Sequence, residues 1–277
     1  MNSLFSVNVK TNEVIGEEFI IRKTDPELAK KQTEATAKLS EYQKMSGMPL
    51  WYSIIMYIFL LAAIAFIPAF MEGCFDVGFQ AAYQRTSWAL YTGVGGLIVG
   101  AAMYVIQRIR SKKVLQSPEV DDFVSGMGEL TNKIKASLQV PTDCADVDVL
   151  CRPYKLKNGK QKTGNHFFKY FNLSFWVFKE NENLCFASAE GVYGIPLSSI
   201  TEIALIKKSV SVPQWNKDEP IKSERYKATV KANNYGMYFI KRHYSVRFNR
   251  HGEEWEILIP AYDVDIISGL TGRFPVI

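Results

Sequence analysis

Two stretches of the chain carry no charged residue. Leu50 to Met71 reads LWYSIIMYIFLLAAIAFIPAFM, and Thr86 to Gln107 reads TSWALYTGVGGLIVGAAMYVIQ. As a helix rising about 1.5 Å per residue, each covers the roughly 30 Å hydrocarbon core of a bilayer. Trp51 and Tyr52 on the first run, and Trp88, Tyr91 and Tyr104 on the second, lie near the ends, where amphipathic rings favour the headgroup layer. Buried core helices are the alternative, and uncharged runs of this length argue against it. The pattern predicts membrane-spanning helices at 50–71 and 86–107, joined by an outer loop at 72–85. The first run starts behind a charged and polar 49-residue segment, so it is expected to stay as an anchor rather than be cleaved as a signal peptide.

The flanking charges predict an orientation. Lys30, Lys31, Lys38 and Lys44 precede the first run, and Arg108, Arg110, Lys112 and Lys113 follow the second. The expected loop offers Arg85 beside Glu72 and Asp76. Lysine and arginine collect on the cytoplasmic side, so both termini are expected there, in a multi-pass cell-membrane protein. Gly96 and Gly100 form a GxxxG pair that permits close helix packing, either between the two spans of one hairpin or in a homo-oligomer. No ionisable residue lies inside either run, so neither an ion path nor a transport site is marked.

Outside these runs the pattern changes. Residues 1–23 alternate apolar and polar positions around a turn at 11–13, as a short hairpin would. Asp25-Pro26-Glu27 opens a helix to about residue 43, with a charged surface, within an N-terminal segment 1–49. Ser117-Pro118-Glu119 opens a second helix to about residue 138, in a juxtamembrane segment 108–139. Its stripe of Val120, Phe123, Val124, Met127, Leu130 and Ile134 must pack on the following domain or on the first helix. From 140 to 277 alternation at period two predicts strands at 146–154, 166–178, 183–189, 191–196, 202–208, 225–232, 236–248 and 253–259, then a helix at 261–270. Asn158-Gly159, Asn233-Asn234 and His251-Gly252 supply turns. The expected class is an α+β membrane protein: a transmembrane helical hairpin, then an antiparallel β-rich open barrel capped by a C-terminal helix.

A resemblance sharpens this. The run Gly194-Ile195-Pro196-Leu197-Ser198-Ser199-Ile200-Thr201-Glu202-Ile203 resembles the strand, "IPxSxI" corner and next strand of bacterial pleckstrin-homology-like (PH-like) domains. Ile259-Pro260-Ala261, leading into the last helix, is similar to theirs. Two spans followed by such a domain resemble the small bacterial membrane proteins with a C-terminal cytoplasmic PH-like domain, over residues 50–110 and 165–277. The resemblance implies architecture rather than a defined activity. Val210 to Ser223, with Pro213 and Pro220, departs from the pattern and reads as an inserted loop.

Composition adds exclusions. The chain has 33 basic and 28 acidic residues, four cysteines and three histidines. Four cysteines do not make a disulfide scaffold. Cys144, Cys151 and Cys185 lack metal-site spacing, and Cys74 falls in the expected outer loop. His166, His243 and His251 read as surface or packing residues. No nucleotide signature and no nucleophile with a nearby base occurs, so the expectation is no enzyme, no catalytic residue, no metal and no cofactor. Residues 140–277 hold 19 basic and 15 acidic residues with no stacking motif, which disfavours nucleic acid.

One charged feature stands out: Lys155, Lys157, Lys160 and Lys162 flank the Asn158-Gly159 turn, with Lys169 beyond, and no acid occurs between Asp148 and Glu180. A basic hairpin near an anionic leaflet gains on the order of 1 kcal/mol per lysine; a solvated turn is the plain alternative. The sequence thus points to a non-enzymatic membrane-anchored interaction protein whose PH-like domain binds protein partners or anionic lipid headgroups. The second reading is an accessory or assembly subunit of a larger membrane complex.

Overall fold

The structure, a computed structural model, describes residues 2–8, 14–15, 17–157, 160–163, 168–213, 224–227, 229–232 and 237–276. The expected turns at 11–13, Asn158-Gly159 and Asn233-Asn234, together with His166 and Pro220, lie outside these residues. In chain order the elements are β1 (Asn2–Ser3), β2 (Ser6–Asn8), β3 (Val14–Ile15), β4 (Ile20–Lys23), α1 (Pro26–Ser46), α2 (Leu50–Val77), α3 (Phe79–Leu115) and α4 (Pro118–Ser137). There follow β5 (Ala145–Lys157), β6 (Lys160–Thr163), β7 (Phe171–Glu180), β8 (Asn183–Ala187), β9 (Gly191–Pro196), β10 (Ile200–Ile206) and β11 (Val210–Pro213). The chain ends with α5 (Glu224–Lys227), β12 (Val230–Ala232), β13 (Met237–Ile240), β14 (His243–Arg250), β15 (Glu253–Pro260) and α6 (Val264–Thr271). Two compact units result: Met1–Ala29 with Thr131–Ile277, and Lys30–Leu130.

The second unit is helical. Helices α2 and α3 are long and apolar enough to cross a membrane. The expected loop at 72–85 is corrected: α2 continues to Val77, Gly78 turns the chain, and α3 starts at Phe79. Polar residues such as Glu72 and Asp76 do not break a helix, whereas Gly78 takes φ 83°, a left-handed conformation that favours glycine. The non-helical dihedrals of Thr86 (φ −132°, ψ 21°) then break α3 where the second uncharged run begins. The helices pack through glycine. A Cβ on Gly96 would lie 2.6 Å from the Phe59 carbonyl oxygen, and one on Gly100 would lie 2.7 Å from Leu60 Cδ2. In the same unit Tyr42 of α1 donates to Glu119 of α4 (2.7 Å), and its ring centroid lies 5.4 Å from that of Phe123. The apolar stripe of α4 therefore has α1 as one partner.

The first unit is a curled β half-barrel. One sheet runs β3-β2-β5-β7-β8-β9-β4, with β6 paired to β5; the other runs β1-β15-β14-β10. The Leu197–Ser199 turn makes the corner between β9 and β10. Alternation places Val147, Val149 and Cys151 of β5 and Ile257 and Ile259 of β15 in the core between the sheets, with Ile267 of α6. Leu150 and Leu258, of opposite parity, enter a second core with Val212, Tyr238 and Ile240 of the three-stranded sheet β11-β13-β12.

The expected domain boundary at 140 is also corrected. β1 pairs in parallel with β15, β2 in parallel with β5, and β4 antiparallel with β9. Leu4, Phe5, Val7 and Phe19 are buried in the first core, and Phe5 lies 4.5 Å from Phe175 and 5.1 Å from Tyr193 between ring centroids. Full burial of such side chains stabilises by about 1.5–3 kcal/mol each. The N-terminal segment therefore belongs to the β unit. Two expected strands divide: 225–232 becomes α5 and β12, and 236–248 becomes β13 and β14, with Lys241 and Arg242 between them. The inserted segment carries the strand β11.

Candidate functional site

The lysine-rich hairpin is built on β5, whose first half is fixed in the core by Val147, Val149 and Cys151. Its last residues pair antiparallel with β6: Lys155 lies opposite Lys162, and Lys157 opposite Lys160. Directly opposed residues share a face, as do residues two apart on one strand. The backbone register therefore puts all four positions on one face of the hairpin. Like charges in opposed pairs cost a few tenths of a kcal/mol up to about 1 each. An opposing anionic surface reverses that sign. Lys169, farther along, is exposed.

The second basic set is dispersed. Arg247 is paired with Glu202, Arg250 donates to the Glu18 carbonyl oxygen (2.6 Å), and Arg242 lies in the β13–β14 turn. Gly96 and Gly100 meet α2 of their own hairpin. Burial pushes the Cys185 thiol up to about 11 and Cys151 higher still, so both stay protonated. His243 is buried and burial lowers its pKa, while His251 sits exposed in the β14–β15 turn at φ 51°. Among the described residues no three His, Cys, Asp or Glu side chains gather as metal ligands would.

Sequence reading misses a buried polar cluster. Asp263, wholly buried, accepts from Arg225 Nε (2.9 Å) and Nη2 (2.7 Å) and from the Asp148 amide (2.7 Å). Tyr262 donates to Asp148 (2.7 Å), and Asn172 Nδ2 donates to the Tyr262 hydroxyl (3.4 Å). Burial raises the Asp263 carboxyl above its ordinary value, against the lowering effect of Arg225 and the Asp148 amide. The cluster ties α5 to the start of α6, which is a positioning role. Its one sequence signal is an aspartate next to an apolar helix start. A second group joins Ser245 and Arg152 to the two oxygens of buried Glu256, at 2.9 and 2.6 Å. Compared with known protein families, curated proteins and solved structures, the chain matches none.

Proposed function

We propose that this is a non-enzymatic, membrane-anchored interaction protein whose β unit is PH-like and binds the adjacent anionic membrane surface. The observation that carries the reading is the lysine register: four positions on one hairpin face, in paired stretches (154–157 with 160–163) without an acid. At about 1 kcal/mol per lysine, such a face gains about 4 kcal/mol at an anionic leaflet and loses it as salt rises.

The anchor reading is supported by exposure: Leu50 (78%), Ile64 (69%) and Ile98 (64%) have no protein covering them. Strand pairing supports a shared side for the two flanking segments, independently of charge counts. Residues before α2 pair with residues after α3, so both segments lie on one side of any bilayer that the helices cross. For the PH-like identity, the supporting order is four strands (β5, β7, β8, β9), three strands (β10, β14, β15) and a terminal helix. The assembly-subunit reading has less support, because Gly96 and Gly100 face α2 rather than another chain.

Collisional quenching tests the surface contact. A fluorophore on a cysteine placed at residue 158 of the full chain is expected to be quenched by headgroup-labelled lipid in anionic bilayers and not in neutral ones. Replacing the four lysines with alanine is expected to abolish the difference; equal quenching in both bilayers refutes the reading.

A further inference from the structure

Between the start of β4, the β9–β10 corner and the end of β14 lies an open cavity of about 470 Å³. That is within the roughly 300–1,000 Å³ range of small-molecule sites. Partly buried Ile20 and half-exposed Ile21 give it an apolar rim, with Phe19 and Phe248, each 1% exposed, buried behind it. Arg250 lines the opposite part. Arg22, Arg152, Arg225 and Arg247 each hold a carboxylate within 4.0 Å. Arg250 has none among the described residues; it is held by the Glu18 carbonyl oxygen (2.6 Å) and by the Phe19 ring, 4.1 Å from its guanidinium carbon. Asn249 and His251 also line the cavity. Among the described residues Glu18 is the one carboxylate of the lining, and it binds Arg250 through its backbone rather than its charge. An unneutralised guanidinium beside an apolar rim calls for an anion attached to an apolar body.

We infer that this cavity binds the head of an anionic amphiphile, its carboxylate or phosphate on Arg250 and its first carbons against Ile20 and Ile21. The site is separate from the lysine hairpin and does not depend on it. Its test is calorimetric titration of the full chain in phosphatidylcholine nanodiscs with octanoate and with octyl phosphate, less the heat of empty nanodiscs. Saturable one-to-one binding of at least one probe is expected. Arg250→Gln weakens it at least tenfold, and Arg250→Lys restores part of the loss. Ile21→Trp, at a half-exposed rim position that the core does not need, also weakens it at least tenfold. The quadruple lysine-to-alanine variant binds as the wild type does, which separates this site from surface binding. In nanodiscs containing phosphatidylglycerol, weaker probe binding assigns the natural ligand to the bilayer, and unchanged binding assigns it to a free amphiphile. The inference is overturned if neither probe binds, if octanol binds as tightly as octanoate, or if neither the Arg250→Gln nor the Ile21→Trp protein differs from wild type.

Discussion

Leu4 donates its backbone amide to the carbonyl oxygen of Glu256 (3.0 Å), although both apolar helices lie between them in the chain. The segment that contains Leu4 runs beside β15 and then beside β5, so it closes edges that β5–β15 alone would leave open. Open edges cost unpaired backbone groups and invite association. Phe5→Ala is therefore expected to cost about 3–5 kcal/mol, the range for a fully buried phenylalanine. Urea unfolding of the full chain followed by tryptophan fluorescence measures it. A fragment beginning at residue 140 is expected to aggregate, and one in which residues 1–25 are fused ahead of 131–277 to stay soluble.

The same pairing fixes a topological outcome. Single cysteines placed at Asn2 and at Gly272, in an otherwise cysteine-free chain, are expected to show the same accessibility to an impermeant maleimide in sealed cells. Cys74, close to the Gly78 turn between the apolar helices, is expected to show the opposite accessibility. Opposite labelling of positions 2 and 272 would contradict either the strand pairing or the double crossing.

What could be read from the residues follows how local the physics is. The uncharged runs, the Pro26 and Pro118 helix starts and the β9 strand at 191–196 are set by neighbours in sequence, and they fall where the pattern puts them. The partners of Leu4 and Phe5 lie more than a hundred residues away, and parallel pairing leaves no turn between strands to announce it. The single turn of α5 at 224–227 contains Arg225, whose partner Asp263 is distant in sequence, while alternation alone suggests a strand there. The Lys241-Arg242 corner is missed for a related reason: period-two patterning continues unchanged through a strand that leaves one sheet for another. The lysine face needed only the pairing of two strands adjacent in sequence, so it was legible. The cavity at Arg250 draws on three remote segments and was not.

Helix packing gives a graded prediction. Gly96 and Gly100 meet Phe59 and Leu60 within 3 Å of an added Cβ, whereas Gly95 meets nothing within 4 Å. Gly96→Leu is expected to separate α2 from α3, and Gly95→Leu to leave them packed. Cross-linking by a short bifunctional maleimide between cysteines at Tyr52 and Met103, where Tyr52 donates to the Met103 carbonyl oxygen across the pair (2.9 Å), reports the difference. Equal cross-linking in the two variants would show that the glycines do not hold the pair together.

The last prediction concerns His243. Its side chain is 3% exposed, its Nδ1 has no hydrogen-bond partner among the described residues, and burial lowers its pKa below the ordinary value. The unfolded chain takes up a proton near pH 6.5, and the folded chain resists it. A depressed folded pKa means that the stabilising contribution is complete above about pH 6.5 and is lost as pH falls toward the folded value. The urea midpoint of the β unit in the full chain is therefore expected to drop between pH 7.5 and pH 5.5. His243→Phe, which keeps a ring and removes the titrating group, is expected to flatten that drop. The Asp263 carboxyl, which burial raises, acts with the opposite sign, so the comparison with His243→Phe isolates the histidine. An unchanged slope in the His243→Phe protein would refute the assignment of the pH dependence to His243.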